Sequence, residues 1–142
     1  MIRADLRRVP SRLDRIAHAC LSEAEESLRE SSLTVTEQLN ELPDYPLDPE
    51  RMKEAVGSLL SESIRRAGSG ARLRVTVKGG RHAIMVSAKA PGEGIDPDDA
   101  PLAVPALAAE IAEAHGGRAW ANGRPGRGIT FYLTLPVPPI DV

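Results

Sequence analysis

From residue 13 onward, apolar side chains recur at three- and four-residue steps: Leu13, Ile16, Ala17, Cys20, Leu21, Ala24 and Leu28. That spacing predicts one amphipathic helix, with Pro10 and Ser11 as its start signal and Ser11 as a candidate N-cap. Ser31 and Ser32 end it, and Leu33 and Val35 mark a short strand. Residues 40–48 (NELPDYPLD) carry two prolines and read as a loop. Asp48, Pro49 and Glu50 then form a helix start: a capping carboxylate, a proline in the first turn and an acid near the positive helix end. Met52, Ala55, Val56, Leu59, Leu60, Ser63, Ile64 and Ala67 give this second helix its buried face, and Gly68-Ser69-Gly70 stops it.

The period then changes from helical to alternating. Leu73, Val75 and Val77 alternate with polar residues, as do Ile84, Val86 and Ala88, with Gly79-Gly80 as the hairpin turn. Residues 90–101 (APGEGIDPDDAP) form a loop. A third helix follows through Val104, Leu107, Ala108, Ile111 and Ala112 and ends at Gly116-Gly117. Two last strands, near 118–121 and 129–135, are joined by NGRPGRG. Helices with one apolar face beside hairpin-linked strands predict an α/β (α+β) two-layer sandwich. Its mixed, mainly antiparallel sheet is covered on one face by three helices. Leu59, Leu60, Val75, Val86, Leu107, Ile111, Phe131 and Leu133 are expected in the core between the layers. One domain over residues 11–136 is expected, with an N-terminal extension at 1–10 and a tail at 137–142.

Composition narrows the function. A chain of 142 residues has room for one core, and with 3% aromatic residues that core is aliphatic. A net charge of −2 lacks the cationic excess of a nucleic-acid binder. Cys20, the single cysteine, excludes an internal disulfide and a cysteine zinc site and reads as a core residue. The N-terminal stretch has no apolar signal region, and no run of about 18 apolar residues occurs. A cytoplasmic location without membrane contact is expected. Asp96, Asp98 and Asp99 read as a solvated loop and His82 as a surface residue. No combination of serine, cysteine, histidine and acid stands out as a nucleophilic set, so no catalytic residue is assigned.

Three strings, in order, carry a resemblance. EAHGGRAWANGRPGRGITFYLTLP (residues 113–136) resembles the helix end, HGG turn and closing hairpin of the Bergerat-fold (GHKL) ATP-binding domain of sensor histidine kinases. DPERMKEAVGSLLSESIRRA (48–67) is similar to that family's helix carrying the N box. VSAKAPGEGID (86–96) resembles its first glycine box. The resemblance implies the fold described above, with a nucleotide pocket at Ser58, Glu62, Ala90, Gly92 and Gly94, and His115 as the structural HGG histidine.

The same resemblance exposes departures. The family's metal-binding asparagine positions fall on Ser58 and Glu62, which makes Glu62 the one weak candidate for Mg²⁺ and otherwise a solvated glutamate. The adenine-reading aspartate is Ala90, whose methyl group accepts no hydrogen bond. Gly92 and Gly94 survive, as the turn itself requires of them. The phosphate-facing glycines of the second glycine box fall on Leu102 and Val104, followed by Pro105, and the lid between the boxes is short and acidic. His18 lies within the segment matching the domain's own first helix, which argues against a phosphoacceptor role. The expectation is a degenerate pocket without cofactor, in a monomeric regulatory or interaction module. Its partners would be signalling proteins: a histidine kinase, a phosphotransfer domain or a response regulator. The alternatives are a working ATP- and Mg²⁺-dependent kinase domain, and an anti-sigma-like partner-switching module.

Overall fold

The computed structural model describes residues 6–139. Residues 1–5 of the expected extension and 140–142 of the expected tail lie outside them. The elements, in chain order, are β1 (Val9–Ser11), α1 (Leu13–Glu23), α2 (Glu25–Glu30), β2 (Thr34–Leu39), β3 (Tyr45–Leu47), α3 (Pro49–Arg66), β4 (Arg72–Gly79), β5 (Ala83–Ala90), α4 (Ala100–Ala103), α5 (Ala106–Ala114), β6 (Arg118–Gly123) and β7 (Ile129–Pro136).

Five strands form one sheet in the order β2-β4-β5-β7-β6. The β2–β4 pair is parallel, with α3 in the crossover between them, and the other pairs are antiparallel. Alternation does the sorting. Leu73, Val75 and Val77 of β4, Ile84, Val86 and Ala88 of β5, and Ile129, Phe131, Leu133 and Leu135 of β7 point into the core. Against them pack Met52, Ala55, Val56, Leu59 and Leu60 of α3, Leu13, Ala17 and Leu21 of α1, and Ala108, Ile111 and Ala112 of α5. Burying a Leu, Ile or Phe side chain is worth roughly 1.5–3 kcal/mol each, so this one interface holds the domain together. Among the described residues no helix is long and apolar enough to cross a membrane.

The α3 start has the form its sequence predicts. Asp48 accepts the Arg51 N–H at 3.1 Å, with Pro49 in the first turn. Asp48 also accepts the Arg7 N–H at 3.0 Å. Burial opposes ionisation of this carboxyl, but the N–H donors outweigh it and hold its pKa below the ordinary value.

Among the described residues the three expected helices are corrected to five. Pro10 and Ser11 belong to β1, which pairs antiparallel with β3 inside the expected 40–48 loop. Helix α1 begins at Leu13 after Arg12, without a side-chain cap, and breaks at Ala24 before α2. The third helix is likewise two pieces. Pro105 takes φ −57° and ψ 130° and starts α5 afresh, apart from α4. That restart turns Leu107 outward, 41% exposed, against its expected place in the core. The other seven expected core residues are buried.

Candidate functional site

Helix α3 carries Ser58, Glu62 and Arg66 at four-residue steps, along one stripe that ends beside the 91–94 loop. Ser58 is half-buried and donates its hydroxyl hydrogen to the Ala55 carbonyl at 2.8 Å, a local bond within the helix. Glu62 departs from its expectation as a solvated glutamate: its side chain is only 16% exposed. One carboxylate oxygen takes the Arg66 Nε at 2.6 Å, and the group also pairs with the Arg65 guanidinium. Arg65 above all, with Arg66 and against partial burial, holds the Glu62 carboxyl below its ordinary pKa. Both arginines were legible as partners, since they stand three and four residues beyond Glu62.

Ala90 ends β5. It is buried and sits in register with Ile129 of β7. Past it, backbone packs on backbone. The Gly68 N–H donates to the Pro91 carbonyl at 3.3 Å. A Cβ on Gly92 would stand 3.2 Å from the Arg66 carbonyl oxygen, tighter than normal contact. Gly94 has φ +77°, and a Cβ there would lie 2.1 Å from the Arg124 carbonyl oxygen. The Gly126 N–H donates to the Glu93 carbonyl at 2.5 Å. The 91–94 loop is thus clamped between the C-terminal end of α3 and the β6–β7 turn. Gly92 and Gly94 have a structural cause that involves no ligand. Gly126, through its N–H, and Gly128, where a Cβ would lie 2.4 Å from the Ala90 carbonyl oxygen, are part of the same clamp, and no role was expected of either.

On the phosphate side of the expected pocket, Leu102 is 84% exposed on α4 and Val104 half-buried after it. Pro105 supplies no N–H to the start of α5. The exposed 96–99 turn is closed by its own bonds, with the Asp98 N–H donating to Asp96 Oδ1 at 2.9 Å. Among the described residues no three His, Cys, Asp or Glu side chains converge as a metal site would need.

His115 is fully buried where α5 ends. Its Nε2 accepts the Asp48 N–H at 3.0 Å, which leaves Nδ1 to carry the proton and donate to the Ile111 carbonyl at 2.8 Å. Burial lowers its pKa below the ordinary value. His18 is exposed at the α1 surface, facing Glu37. His82 is exposed beyond β4.

Residues 47–139 match the family described as histidine kinase-, DNA gyrase B- and HSP90-like ATPases. Two curated relatives are sensor kinases. The methanogenesis regulatory histidine kinase FilI of Methanothrix harundinacea is 30% identical over 87% of this chain and 16% of its own length. The alginate biosynthesis sensor protein KinB of Pseudomonas aeruginosa is 27% identical over 69% of this chain and 19% of its own. The chain therefore spans less than a fifth of either. Among solved structures, the nucleotide-free catalytic domain of histidine kinase ThkA superposes with a TM-score of 0.81 at 20% identity, covering 92% of this chain and 97% of that one. Full-length ShkA in complex with AMPPNP gives 0.81 at 16% identity, over 92% of this chain and 31% of that one. At such identities the likeness is one of fold.

Proposed function

Because this chain belongs to the histidine kinase-, DNA gyrase B- and HSP90-like ATPases, we propose that it is a histidine-kinase-type ATP-binding domain of two-component signalling whose nucleotide pocket has lost its ligand contacts. It works as a regulatory or protein-interaction module. The observation that carries this reading is Glu62. At the position where the resemblance calls for a neutral metal-binding asparagine stands a carboxylate already engaged by Arg65 and Arg66. A metal bound there would have to displace both arginines. The rest of the pocket fits ATP·Mg²⁺ no better. Ala90 offers an adenine amine no acceptor, and Leu102, Val104 and Pro105 stand where glycine N–H groups would meet phosphates. Each missing contact costs about 1–3 kcal/mol. Three together weaken binding by about a hundredfold or more.

No phosphotransfer step is assigned to these residues. The partners that fit such a module are a histidine kinase, a phosphotransfer domain or a response regulator. ThkA, a structural neighbour, has been crystallised with the response regulator protein TrrA.

The test is thermal. A ligand that binds only the folded state raises its melting temperature by mass action. Millimolar ATP·Mg²⁺ is expected to leave the melting temperature unchanged and to yield no released or transferred phosphate. Ala90→Asp alone is expected not to restore binding, because the phosphate side stays unmade. A clear upward shift in the native protein would overturn this reading in favour of a working kinase domain.

A further inference from the structure

The face of the sheet turned away from the helices is basic. Lys89 of β5 stands in register with Arg74 of β4, and both are exposed. At the edge of the sheet, a groove of about 830 Å³ runs along the whole of β6, between it and α4. Four cations from three elements line it: Lys89 of β5, Arg118 of β6, and Arg124 and Arg127 of the β6–β7 turn. No acid lines it.

The helical side differs. There Arg12, Arg51, Lys53, Arg65 and Arg66 each pair with a carboxylate, and among the described residues Arg15 and Arg29 are exceptions. Among the described residues none of the four groove cations makes an ion pair. Arg118 lies over the Trp120 ring, 4.3 Å from its centroid, which fixes its direction without neutralising it. In a chain of net charge −2, four unpaired cations gathered in one groove leave the remaining surface acidic. A single lysine on an edge strand guards against aggregation, but cations converging from three elements make a field with a direction.

We propose that this groove docks an acidic, extended segment of a partner protein along the outer edge of β6. Two observations favour a peptide over a single-stranded nucleic acid. A base-stacking platform needs open aromatic faces, whereas Trp120 is already stacked on Tyr132 (centroids 5.1 Å apart, planes at 15°) and covered by Arg118. The second is the strand itself: β6 is the last strand of the sheet, so its outer edge presents N–H and C=O groups at the repeat of an extended peptide's own main chain. Carboxylates of the peptide would meet Lys89, Arg118, Arg124 and Arg127.

The groove adjoins the 91–94 loop, sharing Arg124 and Gly128 with its clamp and Val104 with the expected phosphate side, so peptide binding is measured without nucleotide. The probe is a fluorescent peptide of alternating glutamate and valine, compared with an oligothymidylate of equal charge, both read by anisotropy on the full chain. The peptide is expected to bind, to weaken as salt is raised, and to lose about tenfold in affinity in the exposed double variant Lys89→Glu/Arg127→Glu. That variant should melt as the native protein does. Bound peptide should also slow amide exchange along β6. Absence of peptide binding, equal binding by the variant, or unchanged exchange on β6 would each overturn the proposal. Tighter binding of the oligothymidylate would do so too, by making the face a nucleic-acid surface.

Discussion

A glycine's role can be told from what a methyl group would meet. Gly70 and Gly94 have nearly the same φ, +79° and +77°, but differ in surroundings. At Gly70 an added Cβ meets nothing within 4 Å, while at Gly94 it strikes backbone oxygens of Arg124 and Gly128. Gly70→Ala should therefore cost only the left-handed conformation, about 1 kcal/mol. Gly94→Ala adds a clash with backbone that has little room to move, and about 2–3 kcal/mol or more is expected. Urea unfolding of the two variants checks the ranking, and equal losses would contradict the clamp. At this scale the sequence was half legible. Gly-x-Gly at 92–94 announced a turn, but its partners are a helix end and a hairpin some twenty-five and thirty residues away on either side, and no local pattern displays that. The Glu62 clamp, by contrast, stands in plain view as a three- and four-residue spacing.

Among the elements, α3 was readable because its period is long and its cap is a carboxylate followed by proline. The short elements were not. Pro10 and Pro46 face each other across the β1–β3 pair, and proline argues against strand except at edges and ends. Pro105 misled in the opposite direction: an apolar period continued through it, though the chain restarts there and Leu107 swings to the surface. Between elements, His115 ties the end of α5 to the start of α3. Protonation would turn the Nε2 acceptor into a donor facing the Asp48 N–H. Because burial lowers its folded pKa, the unfolded chain takes up the proton first. Stability contributed by the neutral imidazole is thus full above the unfolded pKa of about 6.5. It declines as pH falls from there toward the lowered folded value. Asp48, with its carboxyl pKa also lowered, adds a second loss at more acidic pH, below the ordinary carboxylate range. Denaturant midpoints from pH 8 to 5 should show the first decline in the native protein and lack it in His115→Phe, which should also be less stable by about 2 kcal/mol or more at neutral pH.

For the whole molecule, the alternation of β4, β5 and β7 and the length of α3 are plain in the sequence, but the strand order is not, because β5 pairs with β7 across α4, α5 and β6. The expected lack of self-association can be put to a test on the exposed surface. Among the described residues the large apolar side chains that are exposed are Val9, Leu102 and Leu107. A stable dimer needs on the order of 1,200 Å² or more of buried surface with an apolar centre, more than three side chains supply. Light scattering at micromolar concentration should return the mass of a single chain, and a tight dimer would contradict this.

Cys20 sits where α1 lies against α3, its Sγ–H directed at the Lys53 carbonyl at 3.4 Å. Burial, helped by Glu23, pushes the thiol pKa up to about 11. Since a thiol reacts as the thiolate and only when reached, the closed protein should ignore a disulfide-exchange reagent at pH 8. Labelling must wait for α1 to lift away, and with one cysteine in the chain the signal has a single origin. The labelling rate in water therefore becomes a clock for that opening. If it rises with denaturant in parallel with global unfolding, the helix leaves only when everything does. If it runs ahead, α1 is the part of the domain that works loose first.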